Sequence, residues 1–254
     1  MSVIKIEHPS GRSELKAVIL AGGLGLRLRP LTSDKPKPLI EVANKSILEW
    51  QIEWLKSYGV KELILCVGHL KEKVIEVLGS GLKYGVKIAY VVEEAPLGTG
   101  GALKNAASLL GKEDCFLICN GDIITSLNPL RLIEPLKRQA LGAIAAVPLK
   151  SPYGVLEIGD EGSIKSFVEK PVLKQHWINA GIYAFKPEVL QHLPDKGDME
   201  KVTLPTLARE EKLKVVRYER CFWKSIDTYK DVKEAEKELR TATMFKSRLG
   251  SSNI

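Results

Sequence analysis

Early in the chain an apolar strand, Lys16–Leu20, runs without a break into the loop Ala21-Gly22-Gly23-Leu24-Gly25-Leu26-Arg27. No other feature restricts the fold as strongly. Glycines directly after a strand let the backbone turn sharply and bring several N–H groups close to an anion, which is how phosphates are held without side chains. Two common phosphate loops can be tested by spacing. A Gly-x-Gly-x-x-Gly dinucleotide fingerprint would require glycine at position 28, which is Leu28, and a P-loop would require a Gly-Lys-Ser/Thr triplet that does not follow.

Beyond the loop, strand and helix alternate, the signature of an α/β fold with a mainly parallel sheet flanked by helices. Residues 46–58 carry Ile47, Leu48, Ile52 and Leu55 at helical spacing behind Ser46 as N-cap. Residues 63–67 form the next strand, Lys71–Leu78 a helix, 86–92 a strand, and 98–110 a helix opening at a Gly-rich turn with Thr99 as cap. A buried strand over 115–119 ends in Asn120-Gly121-Asp122, and open α/β sheets place ligands at such strand ends.

After a helix over 129–139 the period shortens, and 143–148, Val155–Ile158, 164–169 and 178–185 are strand-like. Helices are expected again at Pro187–His192, 205–210 and 229–239, with a strand over 213–218. No repeat or low-complexity linker intervenes. The reading is one domain over 1–240, an alternating half at about 16–140 and a β-rich half at about 141–240, then a flexible tail at 241–254.

Composition removes several function classes. With 44% hydrophobic and 27% charged residues among 254, the chain is long enough for a substantial core. No run approaches the roughly 18 consecutive apolar residues of a membrane helix. The start mixes Lys5, Glu7, His8, Arg12 and Glu14 into few apolar residues, unlike a signal peptide, so the expected location is the cytoplasm. Cys66, Cys115, Cys119 and Cys221 lie in apolar runs without a Cys-x-x-Cys pair, and the Cys115–Cys119 spacing points both to one strand face. They are expected to be buried free thiols rather than zinc ligands. The net charge of +7 suits nucleic acid or an anionic small substrate, but the basic residues are spread out and no dense basic run interleaves with aromatics.

Gly22-Gly23-x-Gly25-x-Arg27-Leu28-x-Pro30-Leu31-Thr32, followed by Lys35-Pro36-Lys37-Pro38-Leu39, resembles the signature of the sugar-1-phosphate nucleotidyltransferases, also called nucleotide-sugar pyrophosphorylases. A bare Gly-Gly-x-Gly is more often a surface turn; the full string is far more specific. Further segments match the family in order: Glu93 to Ala102 its second Gly-rich turn, Asn120-Gly121-Asp122, Tyr153-Gly154-Val155, Glu169-Lys170-Pro171, Asn179-Ala180-Gly181 and Trp223 to Thr228. The resemblance spans about residues 16–240. One departure is Ser225-Ile226-Asp227-Thr228 in place of the commoner Asp-Ile-Gly-Thr, a variation that leans toward cytidylyl and some guanylyl relatives.

The resemblance implies a Rossmann-like nucleotide-diphospho-sugar transferase fold with a nucleotide half and a sugar-phosphate half. It implies transfer of a nucleotidyl group from a nucleoside triphosphate to a sugar 1-phosphate with Mg²⁺, and it assigns roles residue by residue. Leu20, Ala21, Gly22, Gly23, Gly25, Glu93, Gly98 and Thr99 face the nucleotide, with Glu93 near the base edge. Arg27 steadies the departing pyrophosphate, Lys37 the α-phosphate, and Asp122 and Asp227 hold the metal. Alone, Asp227 before a helix would serve as its cap. Gly154, Glu169, Lys170 and Asn179 contact the sugar phosphate, Lys170 neutralising its charge. Guanylyl transfer to mannose 1-phosphate or a related sugar is favoured, with cytidylyl, thymidylyl or uridylyl transfer to glucose 1-phosphate beside it. No nucleic-acid or membrane partner is expected, and a homo-oligomer is compatible with the chain. Some relatives continue into a hexapeptide-repeat helix that is not expected here. A regulatory subunit of the same fold would be expected to have lost charged residues that Arg27, Lys37, Asp122, Lys170 and Asp227 retain.

Overall fold

The computed structural model describes residues 15–110 and 113–241, so all of the expected tail but Thr241 lies outside the described residues. The elements run β1 (Lys16–Leu20), β2 (Glu41–Val42), β3 (Lys45–Ser46), α1 (Ile47–Ser57), β4 (Glu62–Val67), α2 (Lys71–Leu78), β5 (Lys87–Val92), α3 (Gly98–Asn105), β6 (Phe116–Asn120), β7 (Ile123–Thr125), β8 (Gly142–Lys150), β9 (Val155–Ile158), β10 (Ile164–Val168), β11 (Val172–Phe185), α4 (Thr203–Arg209), β12 (Leu213–Arg217), β13 (Trp223–Ser225) and α5 (Tyr229–Thr241). Seven strands form the main sheet in the order β12-β8-β11-β6-β1-β4-β5. Its pairings are parallel except those of β11, which runs antiparallel between β6 and β8. The chain has the mainly parallel α/β sheet that its alternating pattern predicts.

Strand alternation sorts the core onto two faces. Ala17, Ile19, Leu63 and Leu65 pack with Leu48, Ile52 and Leu55 of α1 and Val74 and Leu78 of α2. Val18, Ile64 and Ile118 face the other way, onto Leu103 of α3 and Ala106 just after it and onto Leu204 and Leu207 of α4. Burial on both faces is why these strands read as unbroken apolar runs. The first cluster also takes in Ala143, Ala145, Val147 and Val216, so one core runs through both halves of the chain. Ser46 caps α1 as its position predicts: the Glu49 N–H donates to Ser46 Oγ at 3.2 Å, and the Ser46 N–H donates to Glu49 Oε2 at 2.8 Å.

Several elements differ from the sequence expectation. The helix expected over 129–139 is two 3-10 turns, Pro129–Leu132 and Glu134–Lys137, because Pro135 brings no N–H and its ring opposes the carbonyl four residues earlier. The helix expected over 98–110 stops at Asn105 and continues as a 3-10 turn at Ala107–Leu109. Pro187–His192 is likewise a 3-10 turn, too short to repay α-helix nucleation. β9 and β10 form a separate two-stranded sheet, so only β8, β11 and β12 of the β-rich half join the main one. Cys115 precedes β6, which removes the same-face argument for it: Cys66 and Cys119 are buried, Cys115 and Cys221 only half-buried, and all four are free.

Candidate active site

The turns that leave β1, β4, β5 and β6 emerge at one edge of the sheet and are stitched together. Ala21 N–H donates to the Cys66 carbonyl at 2.8 Å, Glu93 N–H to the Val67 carbonyl at 2.8 Å, and Gly121 N–H to the Leu20 carbonyl at 2.9 Å. Between them lies a cavity of about 530 Å³ whose wall includes Leu20, Ala21, Gly22, Gly23, Gly25, Arg27, Lys37, Glu93, Gly98, Thr99, Asp122 and Asp227. A crevice outside the carboxyl ends of parallel strands is the ligand position of open α/β sheets.

The glycine loop spans this cavity. Gly25 holds φ +62° at the start of the 3-10 turn Leu26–Leu28, and a Cβ there would sit 2.9 Å from Lys37 Cβ and 3.0 Å from Thr32 Cγ2. A Cβ at Gly22 would lie 2.9 Å from Glu93 Oε1. The loop therefore runs from the Glu93 carboxylate at one end to Lys37 at the other, while the space over Gly23 is open within 4 Å.

At the Lys37 end the charges converge. Lys37 Nζ donates to Asp122 Oδ2 at 2.6 Å and to Asp227 Oδ1 at 2.9 Å, and Arg27 Nη2 donates to the same Asp227 oxygen at 2.7 Å. Ser225 Oγ donates to the other Asp227 oxygen at 2.7 Å. Burial pushes the Asp227 carboxyl up, but the hydrogen bonds from Lys37 and Ser225 and the charges of Lys37 and Arg27 outweigh it and hold the group below its usual range. Pro36 precedes and Pro38 follows Lys37 in the 3-10 turn Lys37–Leu39, which stiffens the backbone beneath the ammonium.

Two carboxylates so distant in sequence meet because β7 and β13 pair, Ile123 opposite Ser225, and Ile226 N–H donates to the Asp122 carbonyl at 2.9 Å. Asp227 is not the cap of α5. Thr228 takes that position: the N–H and hydroxyl of Thr228 donate to Asp231 Oδ2 at 2.8 Å each, and the Asp231 N–H donates back to Thr228 Oγ1 at 3.3 Å. The Asp227 carboxylate is thereby left to the cavity.

At the other end Glu93 is 9% exposed, and its Oε2 accepts the Leu97 N–H at 3.0 Å. Burial raises its carboxyl above the ordinary value, partly opposed by that N–H. Thr99 lies inside α3 rather than at its cap position, which Leu97 occupies. Its hydroxyl instead donates to Glu200 and accepts the Met199 N–H. The third and fourth amides of α3, from Gly100 and Gly101, donate to the Gly197 carbonyl, so the segment after Pro194 closes over the helix end.

The residues read as sugar-phosphate contacts stand apart from this cavity wall. Glu169 and Lys170 pair at 3.2 Å with both side chains about half exposed, and a Cβ on Gly154 would lie 3.0 Å from Glu169 Oε2. Asn179 sits at a register shift of β11 against β8, where its Oδ1 accepts the Gly181 N–H at 2.9 Å and its Nδ2 donates to the Tyr183 hydroxyl at 2.7 Å.

The family model described as nucleotidyl transferase matches residues 16–242. The chain belongs to the nucleotidyl transferase family. Within that family it is 39% identical over 224 residues to the mannose-1-phosphate guanylyltransferase catalytic subunit beta of Dictyostelium discoideum, covering 85% of this chain and 62% of the relative. It is 40% identical over 226 residues to the mannose-1-phosphate guanyltransferase of Yarrowia lipolytica, with the same coverage of both chains. This chain thus spans about three fifths of the length of these relatives. The crystal structure of HddC from Yersinia pseudotuberculosis complexed with GMP-PN aligns with a TM-score of 0.68 at 29% identity, covering 89% of this chain and 99% of that one.

For a nucleotidyl transferase, sequence reasoning named Asn120 within Asn120-Gly121-Asp122 without giving it a role of its own, and passed over Asp198 on the cavity wall and Glu200 behind it. Asp198 accepts the Thr99 N–H and a 2.8 Å hydrogen bond from Lys201 Nζ, and these contacts hold its carboxyl below the ordinary range. The sequence signal for this segment was faint. Lys196-Gly197-Asp198 marks a turn, but no periodicity ties that turn to α3, which it meets across about a hundred residues of chain.

Proposed function

We propose that the chain catalyses guanylyl transfer to mannose 1-phosphate. A phosphate oxygen of the sugar 1-phosphate attacks the α-phosphorus of GTP in line, the bond from that phosphorus to the bridging oxygen breaks, and the electron pair leaves with pyrophosphate, giving GDP-mannose. The observation that carries this reading is the convergence of Arg27, Lys37, Asp122 and Asp227 at one end of a glycine loop whose other end rests on Glu93.

That layout suits a nucleoside triphosphate lying along the loop. Arg27 offers a planar donor fork to the phosphates that leave, and Lys37 a point charge for the α-phosphate as charge builds in the transition state. No nucleophile from the protein is required, so catalysis is positioning plus charge neutralisation. Asp122 and Asp227 are the residues that would hold Mg²⁺. Their donor chemistry fits: they are hard carboxylate oxygens already gathered around one cation, the Lys37 ammonium, and Mg²⁺ prefers one or two carboxylates with phosphate oxygens and water. The ion, when bound, supplies charge neutralisation on the triphosphate.

Glu93 supports guanine over other bases. Its Oε2 is engaged by Leu97, and the carboxylate as an acceptor matches the adjacent N1–H and N2–H₂ donors of guanine. The names of the two relatives and the guanine nucleotide in the HddC complex favour the same base. Gly154, Glu169, Lys170 and Asn179 are assigned to the sugar phosphate, with Lys170 neutralising it. The decisive experiment is a grid of five nucleoside triphosphates against several sugar 1-phosphates with Mg²⁺, reading pyrophosphate release. GTP with mannose 1-phosphate is expected to give the highest kcat/KM. A different best pair overturns the substrate assignment, and no release with any pair overturns the reaction.

A further inference from the structure

We propose that Glu200 is a positioning residue that orients Asn179 for the sugar and couples it to the nucleotide side of the site; the proposal rests on the reading of Asn179 as a sugar contact. The Glu200 carboxylate accepts from two directions. Tyr183 Oη donates to its Oε1 at 3.1 Å, and Thr99 Oγ1 donates to its Oε2. Thr99 lines the nucleotide cavity, whereas Tyr183 is fully buried in β11. One side chain therefore touches Thr99 on the cavity wall and, through the Tyr183 hydroxyl, is linked to Asn179.

The hydrogens along this chain have a single direction. An ionised carboxylate only accepts, so the lone hydroxyl hydrogen of Tyr183 points to Glu200 and its oxygen is left as an acceptor. That oxygen takes the Asn179 Nδ2–H at 2.7 Å, which turns Asn179 Oδ1 to the Gly181 N–H at 2.9 Å. Burial and the neighbouring Glu200 charge raise the Tyr183 phenol far above its usual range, which keeps it a donor. Both ends of the Asn179 amide are fixed, yet one Nδ2 hydrogen and one Oδ1 lone pair remain for a hydroxyl of the sugar. At the other end the Thr99 hydrogen is likewise drawn to Glu200, leaving its oxygen to accept the Met199 N–H at 3.0 Å.

Replacing the carboxylate by an amide breaks this polarity. In Glu200→Gln one end of the side chain becomes a donor. If the amide nitrogen faces Tyr183, the phenol hydrogen must swing toward Asn179, whose amide then has to flip and abandon Gly181. If the nitrogen faces Thr99, the Thr99 hydrogen loses its acceptor. Either arrangement loosens a group on which the site depends, without removing a volume from the core.

The test is titration of GDP-mannose, a probe that fills both subsites without turnover, into the wild-type chain and the variants Glu200→Gln, Tyr183→Phe, their double mutant and Asn179→Ala, with thermal unfolding on each. Glu200→Gln and Tyr183→Phe are each expected to weaken binding about fivefold to tenfold, within the range of one net hydrogen bond between uncharged groups, here that of Asn179 to the sugar. The double mutant is expected to match the single ones, since both changes interrupt one chain. A purely structural role predicts lowered unfolding temperatures that add in the double mutant with affinity unchanged, and that result overturns the proposal. If Asn179→Ala weakens binding while Glu200→Gln does not, the positioning role falls and the sugar contact stands. If Asn179→Ala leaves affinity unchanged, the reading of Asn179 fails and takes the proposal with it. Absence of GDP-mannose binding to the wild-type chain overturns the substrate assignment beneath both.

Discussion

Lys37 Nζ lies 2.6 Å from Asp122 Oδ2, inside a strand-end cavity and with only 13% of the lysine side chain exposed. The same ammonium reaches Asp227, which Arg27 also pairs, so Lys37 bridges two carboxylates that β7 and β13 bring together. Chemically the ammonium occupies the position that a divalent ion shared by these carboxylates would contest. A triphosphate gives Lys37 another anion to follow, and it brings oxygens that a metal needs.

Metal affinity without nucleotide should therefore be suppressed by Lys37. Titrating Mn²⁺ into the ligand-free chain by electron paramagnetic resonance is expected to show weak binding, tightened about tenfold or more in Lys37→Met, where the competing charge is gone. In the same variant pyrophosphate release should fall at least about a hundredfold, the scale of losing one charged group aimed at the transition state. Equal Mn²⁺ affinity in both proteins would remove the competition argument.

Asp122→Asn should abolish turnover while leaving the fold in place. The amide keeps the shape of the carboxylate and Lys37 retains Asp227 as a partner, so the unfolding temperature is expected to move by no more than a few degrees. Near-normal pyrophosphate release from this variant would count against the metal role of Asp122.

The contrast between neighbouring glycines offers a sharper structural check. Gly25→Ala faces both a left-handed backbone, φ +62°, and a 2.9 Å clash with Lys37 Cβ, and it should destabilise the chain by about 1–3 kcal/mol. A Cβ at Gly23 meets nothing within 4 Å, so Gly23→Ala should leave the unfolding temperature nearly unchanged. If the open space above Gly23 belongs to the nucleotide, its KM for GTP rises all the same. Parallel changes in stability at the two positions would contradict this geometry.

The parts of the site that were readable in the sequence are those carried by local chemistry. Glycines after a strand, a lysine between prolines and an aspartate ending an apolar run each announce themselves within a few residues, and all of them line the cavity. What sequence reading missed depends on contacts between distant segments. β7 and β13 are three residues each, too short to show a period, and yet their pairing is what joins Asp122 to Asp227. The cap reading of Thr99 failed for a related reason, and the cap that Asp227 would form alone is not made, whereas Ser46 caps α1 as read. Thr99 and Asp227 both stand near helix starts, but Glu200 and Met199 claim the first and Lys37 and Arg27 the second, partners from far along the chain. Propensity reports only on neighbours.

Glu93 should exact a stability cost that its removal exposes. Its folded-state pKa is raised above the ordinary 4.5 by burial, so the native chain holds its proton more tightly than the unfolded chain does. Stability contributed by this group is present below 4.5 and is lost as pH rises through the folded pKa, so at neutral pH the buried carboxylate is destabilising. Glu93→Gln keeps an oxygen for the Leu97 N–H and removes the charge. The variant should unfold at a higher temperature than the wild-type chain at pH 7–8, and the difference should shrink as pH falls toward 4.5. Its KM for GTP should rise in the same protein, because an amide cannot accept from both guanine donors as a carboxylate can. Thermal melts across that pH range, together with GTP kinetics at pH 7.5, check both halves. A variant less stable than wild type at neutral pH would show that the carboxylate is compensated by its surroundings, and unchanged GTP kinetics would take Glu93 away from the base.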